Sequence, residues 1–350
     1  MTTLSTGKEG QTLFGQHALP SEDGQTTFGQ PAPILLVGFN RPEMLRGLVG
    51  ILAKARPPKL YLAVDGPREG HPSEAEKCAE CSAVLDGLDW PCEVKKLIRE
   101  KNLGCRMGVS SALDWFFDNE EEGIILEDDC WPGISFLRFA TELLERYRDD
   151  SRVGIVSGYN AYGFISDKNA SYRFTRHVHI WGWATWRRIW WAYRADPEAF
   201  ISDMDSVFRR CFETRRGRIL AKKYWNGYLQ SRDTWDIPFA LWVHGRELLS
   251  AMPRCNLVAN VGGQSYGATH TTGFSYDERL SANAQALEFP MVHPQAVECD
   301  NFADRLHERR SFAWLPRILT IVGLRSGRIG RAICSIASHV EKLCPPLFRV

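Results

Sequence analysis

The sequence predicts an α/β fold, a mostly parallel sheet flanked by helices and followed by an irregular half rich in tryptophan. Three observations carry this. Between Ile34 and Asp129, four short apolar runs alternate with stretches of helical period, the order of successive β-α-β units, which require a parallel sheet and right-handed crossovers. The last of these runs, Gly123-Ile-Ile-Leu126, is continuous rather than alternating in polarity, as expected of a strand covered on both faces. Most of the 12 Trp fall after residue 180, where the regular alternation ends.

At 350 residues and 44% hydrophobic content the chain can bury one large core or two small ones. Its 43 basic and 42 acidic residues nearly cancel, which leaves no global field to collect nucleic acid. Ten cysteines are scattered without a framework spacing. Cys78 and Cys81 form one C-x-x-C with no second pair at zinc-finger distance, which favours a structural role. No signal peptide opens the chain and no apolar run has membrane-spanning length, so a reduced, cytoplasmic setting is expected.

Residues 1–32 are polar and glycine-rich, with the near-repeat Gly10-Gln-Thr-Leu-Phe-Gly-Gln16 and Gly24-Gln-Thr-Thr-Phe-Gly-Gln30. So little apolar content predicts a disordered leader. A domain is expected over residues 33–300. Ile34 to Phe39 reads as its first strand. Asn40-x-x-Glu43 then opens a helix in the manner of a capping box, with Met44, Leu45, Leu48, Val49 and Leu52 on one face. Pro57-Pro58 stops it. Lys59 to Val64 is the second strand and ends in the turn signature Asp65-Gly66-Pro67. A polar helix near Ser73 to Leu85, a third strand near Glu93 to Arg99, and a helix through Ala112, Leu113, Trp115 and Phe116 follow. The fourth strand is Gly123-Ile-Ile-Leu126, which runs into Glu127-Asp128-Asp129.

Three consecutive carboxylates repel one another unless a cation or several donors sit among them, and an all-oxygen set favours a hard divalent ion, Mn²⁺ or Mg²⁺. Ligands of open parallel sheets bind outside the carboxyl ends of the strands. Asn40 and Arg41, Asp65, Arg99, and Asp128 with Asp129 all follow strands, a rim of the kind a nucleotide diphosphate needs. Neither G-x-x-x-x-G-K-[ST] nor a G-x-G-x-x-G after the first strand is present, which argues against a phosphate loop and against a dinucleotide.

In the second half, a helix from about Ile134 to Arg148, a strand Val153 to Ser157 and a segment Tyr172 to Val178 lead into Trp181-Gly-Trp-Ala-Thr-Trp-Arg-Arg-Ile-Trp-Trp191. Trp186 and Trp190 have helical spacing and are expected in the core. Trp181 and Trp183 flank a glycine, where rings can be offered to the apolar faces of an acceptor sugar. Asp233 and Asp236 stand on either side of Trp235. A carboxylate in such an aromatic cleft can serve as general base, and Asp233 can alternatively cap a helix. Gly262-Gly-Gln-Ser-Tyr-Gly-Ala-Thr-His270 is a glycine-rich loop suited to a lid, with His270 able to bond phosphate.

In this order, Phe39-Asn40-Arg41-Pro42, Val64-Asp65-Gly66, Asn102-Leu103-Gly104, Leu126-Glu127-Asp128-Asp129, Trp181-Gly182-Trp183, Trp235-Asp236 and the loop ending at His270 resemble a glycosyltransferase of the GT-A fold. Within that superfamily the chain looks most like the inverting N-acetylglucosaminyltransferase I type and its bacterial relatives. The resemblance implies that Asp129 coordinates Mn²⁺ on the diphosphate of a nucleotide-sugar donor, while Asp128 and Glu127 contact ribose or donor sugar. It implies that Asp65 reads the uracil edge, that Arg41 and Arg106 lie near base or phosphates, and that Asp236 is the catalytic base. Two departures stand out. Ile237-Pro238 follow Asp236 where a second acid is usual, which keeps Asp233 in play, and Gly263 stands where relatives often carry an aromatic residue.

The expected function is transfer of a sugar, with inversion, from a UDP-sugar or similar donor to a carbohydrate or lipid-linked acceptor, in bacterial surface polysaccharide or glycoconjugate synthesis. A sugar nucleotidyltransferase would carry a basic glycine-rich loop after the first strand, which Phe39-Asn-Arg-Pro-Glu43 is not. A non-catalytic nucleotide- or carbohydrate-binding module would not need Asp65, Asp128, Asp129 and Asp236 together. Residues 301–350 form a basic amphipathic tail in which no acid occurs between Glu308 and Glu341. Such a tail suits peripheral contact with the inner face of a membrane, or a helix packed on the domain with its basic face in water.

Overall fold

The computed structural model describes residues 29–160, 162–199, 203–262 and 283–311. Nearly all of the leader, the loop from Gly263 to His270 and the tail from Phe312 onward lie outside the described residues. In chain order the elements are β1 (Ile34–Gly38), α1 (Pro42–Ala55), β2 (Lys59–Val64), α2 (Pro72–Ser82), β3 (Glu93–Ile98), α3 (Gly104–Asn119), β4 (Glu122–Glu127), β5 (Cys130–Pro132), α4 (Ile134–Arg146) and β6 (Val153–Ser157). They continue as β7 (Tyr172–Thr175), β8 (Trp183–Trp186), α5 (Arg187–Ala195), α6 (Met204–Cys211), α7 (Arg215–Ser231), α8 (Asp236–Gly245), β9 (Leu249–Pro253), β10 (Val258–Asn260) and α9 (Asn301–Ser311).

Eight strands make one mixed sheet in the order β3-β2-β1-β4-β8-β6-β9-β7, and β5 pairs with β10 in a small second sheet. The four strands expected from the first half are mutually parallel, with Ile34 level with Leu60 and Ile124. Ile124, Ile125 and Leu126 of β4 are fully buried, which accounts for the unbroken apolar run. α4 lies against β4, β6 and β8, while α3 lies against β1 and α5. The molecule is thus α/β, with a large, mostly parallel mixed sheet between helices, as a Rossmann-like fold has.

Two local expectations are corrected. The capping box at Asn40 does not form: α1 starts at Pro42, with Arg41 in the cap position and no side-chain cap. Proline's fixed φ and missing N–H suit the first helical position, and Asn40 instead donates to Glu74 at 3.1 Å. Trp186 is not helical. It ends β8, an antiparallel strand between β4 and β6, and only from Arg187 does the chain turn helical. The i, i+4 spacing of Trp186 and Trp190 spans that junction, and both rings are in the core as expected.

The start of the C-terminal region belongs to the folded unit. α9 presents Asp304, His307 and Glu308 inward, all buried. Asp304 accepts from Arg173 at 2.5 Å, from Thr175 at 2.5 Å and from the Arg176 amide at 3.1 Å. Burial opposes its charge, but His177, Arg173 and Thr175 outweigh that and hold its carboxyl well below the usual carboxylate range. Beside it, His179 and His307 meet through their Nε2 atoms at 3.2 Å, and the His177 ring stacks on His307 at 4.9 Å.

The pKa of His179 is pushed down to about 3 from 6.5, first by burial and then by His177 and Arg173. The unfolded ring therefore takes up a proton at mild acidity that the folded ring refuses. The stabilisation is complete above about pH 6.5 and drains away as pH falls toward the folded value. Compared with a His179→Gln variant, the native protein is expected to lose urea stability as pH is lowered from 7.5 to 5. Parallel pH profiles for the two proteins would refute this.

Candidate functional site

The parallel half lines up its strand ends. The amide of Asp65 bonds Gly38 O at 3.1 Å, that of Arg99 bonds Val64 O at 3.1 Å, and that of Asp128 bonds Val37 O at 3.0 Å. Asn40, Arg41, Asp65, Arg99 and the acid triplet consequently share one edge of the sheet, as the sequence predicts.

At its centre, Arg41 clamps the acids. Its Nε donates to Asp128 Oδ2 at 3.0 Å, one terminal nitrogen bonds Asp128 Oδ1, and the same nitrogen reaches Asp129 Oδ2 at 3.0 Å. Such a fork is the strongest way a side chain can neutralise a carboxylate. Asp128 is 4% exposed. Burial raises its pKa to about 6, with the charge of Asp129 adding and Arg41 opposing. Glu127 is pushed up to about 8 by burial and by the charges of Asp129, Asp128 and Asp236. Burial works against the Arg41 charge, yet the two aspartates hold its pKa above the ordinary value.

Asp129 is the more open acid. Arg41 takes Oδ2, while among the described residues Oδ1 receives only the weak Cys130 thiol contact at 3.6 Å. Among the described residues no three His, Cys, Asp or Glu side chains converge in a metal-ligating set. The donor chemistry nevertheless fits a hard cation, since magnesium-like ions are commonly held by one or two carboxylates together with substrate phosphates. Asp129 is the carboxylate with an oxygen to give.

Two neighbours shape this corner, Trp131, which was not singled out from sequence, and Gly262 at the start of the glycine-rich loop. Trp131 Nε1 donates to Asp128 O at 3.1 Å, and Gly47 leaves room for the ring, since a Cβ there would sit 2.4 Å from it. Gly262 packs directly on Asp129, where a Cβ would come within 2.4 Å of Oδ2. The pairing of β10 with β5 and the bond from the Val261 amide to Asp129 O at 2.9 Å bring it there. The glycine-rich loop therefore departs beside the candidate metal ligand. Its residues from Gly263 to His270 lie outside the described residues.

Asp65 anchors the backbone beside it. Its carboxylate accepts the amides of Gly66 at 3.0 Å, Leu103 at 3.0 and 3.1 Å, and Gly104 at 3.2 Å. Both oxygens are thus engaged in holding the turn into α3. Burial raises its pKa, and these amides and Arg99 oppose the rise. Arg99 donates to Ser111 at 2.7 Å, and Arg106 is exposed on the first turn of α3.

The remaining acids come from α8 and the turn before it. Asp236 is the first residue of α8, preceded by Trp235 with no side-chain cap, so the helix is not capped by Asp233. Thr234 donates to Asp236 Oδ1, and Asp236 lies close enough to Glu127 to raise its pKa. Asp233 is exposed and faces Gly104, where an added Cβ would be 3.5 Å from its Oδ1. The Cys105 thiol feels Glu127, Asp236 and Asp233 together, after the larger effect of burial. The starts of α3 and α8 therefore meet beside the acid triplet.

The tryptophans divide. Trp183 is fully buried in β8 and stacks on Trp235 at 5.7 Å and 24°, so it has no face to offer an acceptor; it secures the start of α8. Trp181 is half-buried, edge-on to Tyr159 at 5.4 Å. Between them Gly182 has φ +67°, and a Cβ would meet Val258 at 2.6 Å, so both backbone conformation and space demand glycine.

The chain matches no protein-family model and no curated protein.

Replacing Arg41 by Met leaves Asp128 buried beside a second carboxylate with no counter-charge. Roughly 3 kcal/mol of stability should be lost, measured by urea unfolding at pH 7.5, and a loss under about 1 kcal/mol would contradict the clamp.

Proposed function

We propose that this protein is a metal-dependent, inverting glycosyltransferase of the GT-A type, which moves a sugar from a nucleotide diphosphate donor to a carbohydrate or lipid-linked acceptor. One observation carries the reading: α8 brings Asp236 to the Arg41-clamped acids at the carboxyl edge of the parallel strands. Few other reactions need a hard-cation carboxylate, a cationic fork and a separate base at the mouth of such a sheet.

Asp129 would hold Mn²⁺ or Mg²⁺, which when bound neutralises charge on the leaving diphosphate. Arg41 stands within reach of the same charge. Asp236 is the base. Thr234 orients one of its oxygens, and the other accepts no hydrogen bond among the described residues. The acceptor hydroxyl attacks the anomeric carbon from the face opposite the diphosphate. The bond to the phosphate oxygen breaks as the new C–O bond forms, and the hydroxyl proton passes to Asp236. One positioned carboxylate suffices for this single displacement, and the product has inverted configuration. Trp181, half-buried, is the aromatic face left for the acceptor.

The first experiment is a thermal-shift panel of UDP, GDP, CDP and TDP with and without Mn²⁺. One nucleotide at 100 times its dissociation constant should stabilise by about 2.7 kcal/mol, with Mn²⁺ required and the effect lost in Asp129→Asn. No shift with any of them from folded protein would overturn the donor site. With donor and acceptor in hand, Asp236→Asn should lower kcat by at least about 100-fold while the nucleotide shift persists. Retention of configuration in the product would overturn the single displacement.

A further inference from the structure

Between β7 and β8 the chain carries His177 and His179, two residues apart, and α9 lays His307 against both. The ring centroids of His177 and His307 are 4.9 Å apart, those of His179 and His307 5.0 Å, and those of His177 and His179 6.4 Å. Nε2 of His179 and Nε2 of His307 face each other at 3.2 Å. Nε2 of His177 is buried, makes no hydrogen bond among the described residues and lies 3.6 Å from Glu308 Oε1. The candidate donor site uses none of these groups.

A hydrogen bond between two neutral imidazoles accounts for the pair, but not for a third ring packed against it with a nitrogen left over. The dimensions match a different arrangement. A tetrahedral zinc ion holds imidazole nitrogens at about 2.0–2.1 Å, so two of its ligand nitrogens lie about 3.3 Å apart and their rings about 5 Å apart. The nitrogen separation and two of the three ring separations have those values. Only two of the three nitrogens meet in this structure. To supply the third, the His177 ring has to turn away from Glu308.

The surroundings also suit a cation. His177 and His307 are 6% and 3% exposed. Burial first, and then the charge of His177, holds His179 and His307 below the usual histidine range, which removes the protons that compete with a metal. Two acids, Asp304 and Glu308, are buried beside the imidazoles with one guanidinium, Arg173, and that guanidinium is paired with Asp304. His179 is half-exposed, which leaves a way in from solvent.

We infer that His177, His179 and His307 form a binding site for a borderline divalent cation of the Zn²⁺ class, with Nε2 of His179 and Nε2 of His307 as the preformed pair. Imidazole nitrogens suit such an ion, whereas the carboxylates around Asp129 suit Mg²⁺ or Mn²⁺, so the two places select different metals. The ion ties α9 to the segment that leads into Trp181. This staple does not depend on the transferase reading.

The test is titration of the full chain, stripped of metal and kept reduced, with Zn²⁺ by calorimetry and with Co²⁺ by visible absorption. Both are run in excess Mg²⁺, which fills oxygen-ligand sites and should not compete here. One ion per chain is expected, with the ligand-field bands of a tetrahedral site and no thiolate charge-transfer band. His177→Gln, His179→Gln and His307→Gln should each weaken binding by at least about tenfold. His179 is the least buried of the three, so its variant reads the site even where a buried substitution costs the fold. The inference is overturned by absent uptake in folded protein, by a thiolate band, by displacement with Mg²⁺, or by unchanged affinity in His179→Gln. Undiminished binding in His177→Gln overturns the three-imidazole set. Nucleotide thermal shifts are a separate readout, so failure of the donor site and failure of this site remain distinguishable.

Discussion

A strand buried on both faces cannot end in three adjacent carboxylates without a source of positive charge, and the arrangement around β4 follows from that need. Arg41 meets it by leaving the end of the neighbouring strand β1 and forking onto Asp128 with a further bond to Asp129. Because the two strands are in parallel register, the guanidinium and the acids arrive at the same edge without a long excursion of chain. The compensation is incomplete. One guanidinium faces Glu127, Asp128 and Asp129, with Asp236 also close to Glu127, so the corner stays electronegative and receptive to a further cation. A site short of one positive charge is a good place to receive a metal together with its anionic ligand.

Around this corner the molecule is built to restrain rather than to yield. Asp65 spends its carboxylate on the backbone of the turn into α3. The indole of Trp131 covers the clamp and Gly262 presses against Asp129. On the far side, the aromatic group of Trp183, Trp190, Trp235 and Phe239 sets the position of α8. Further still, the buried Asp304–Arg173 pair and the histidines around it bind α9 to the edge strand β7. Such networks cost more to break than they contribute when intact, which makes α9 an integral part of the domain rather than the start of a loose tail.

The first half was legible because its physics is local. Doubly covered parallel strands must be apolar runs, the connections must begin with turn residues, and the carboxyl-end rule then gathers Arg41, Asp65, Arg99 and Asp128 at one edge. What escaped depends on contacts between distant residues. Nothing near Asp65 reveals that amides at Leu103 and Gly104 claim it. Asn40-x-x-Glu43 satisfies a capping pattern, yet Pro42 starts the helix and Glu74 draws Asn40 away. β8 was hidden because the i, i+4 spacing of Trp186 and Trp190 fits a helical period, although Trp186 ends a strand. Trp183 has the composition of a sugar platform, and only the placement of Trp235 shows its ring to be covered.

The stack of Trp183 on Trp235 has an optical consequence. Two indoles 5.7 Å apart and 24° from parallel couple their electronic transitions, and one of them immediately precedes the candidate base. Any motion that shifts Asp236 relative to the sheet must slide one chromophore over the other. The protein thus carries an intrinsic circular-dichroic reporter on the alignment of its own site, with no label attached.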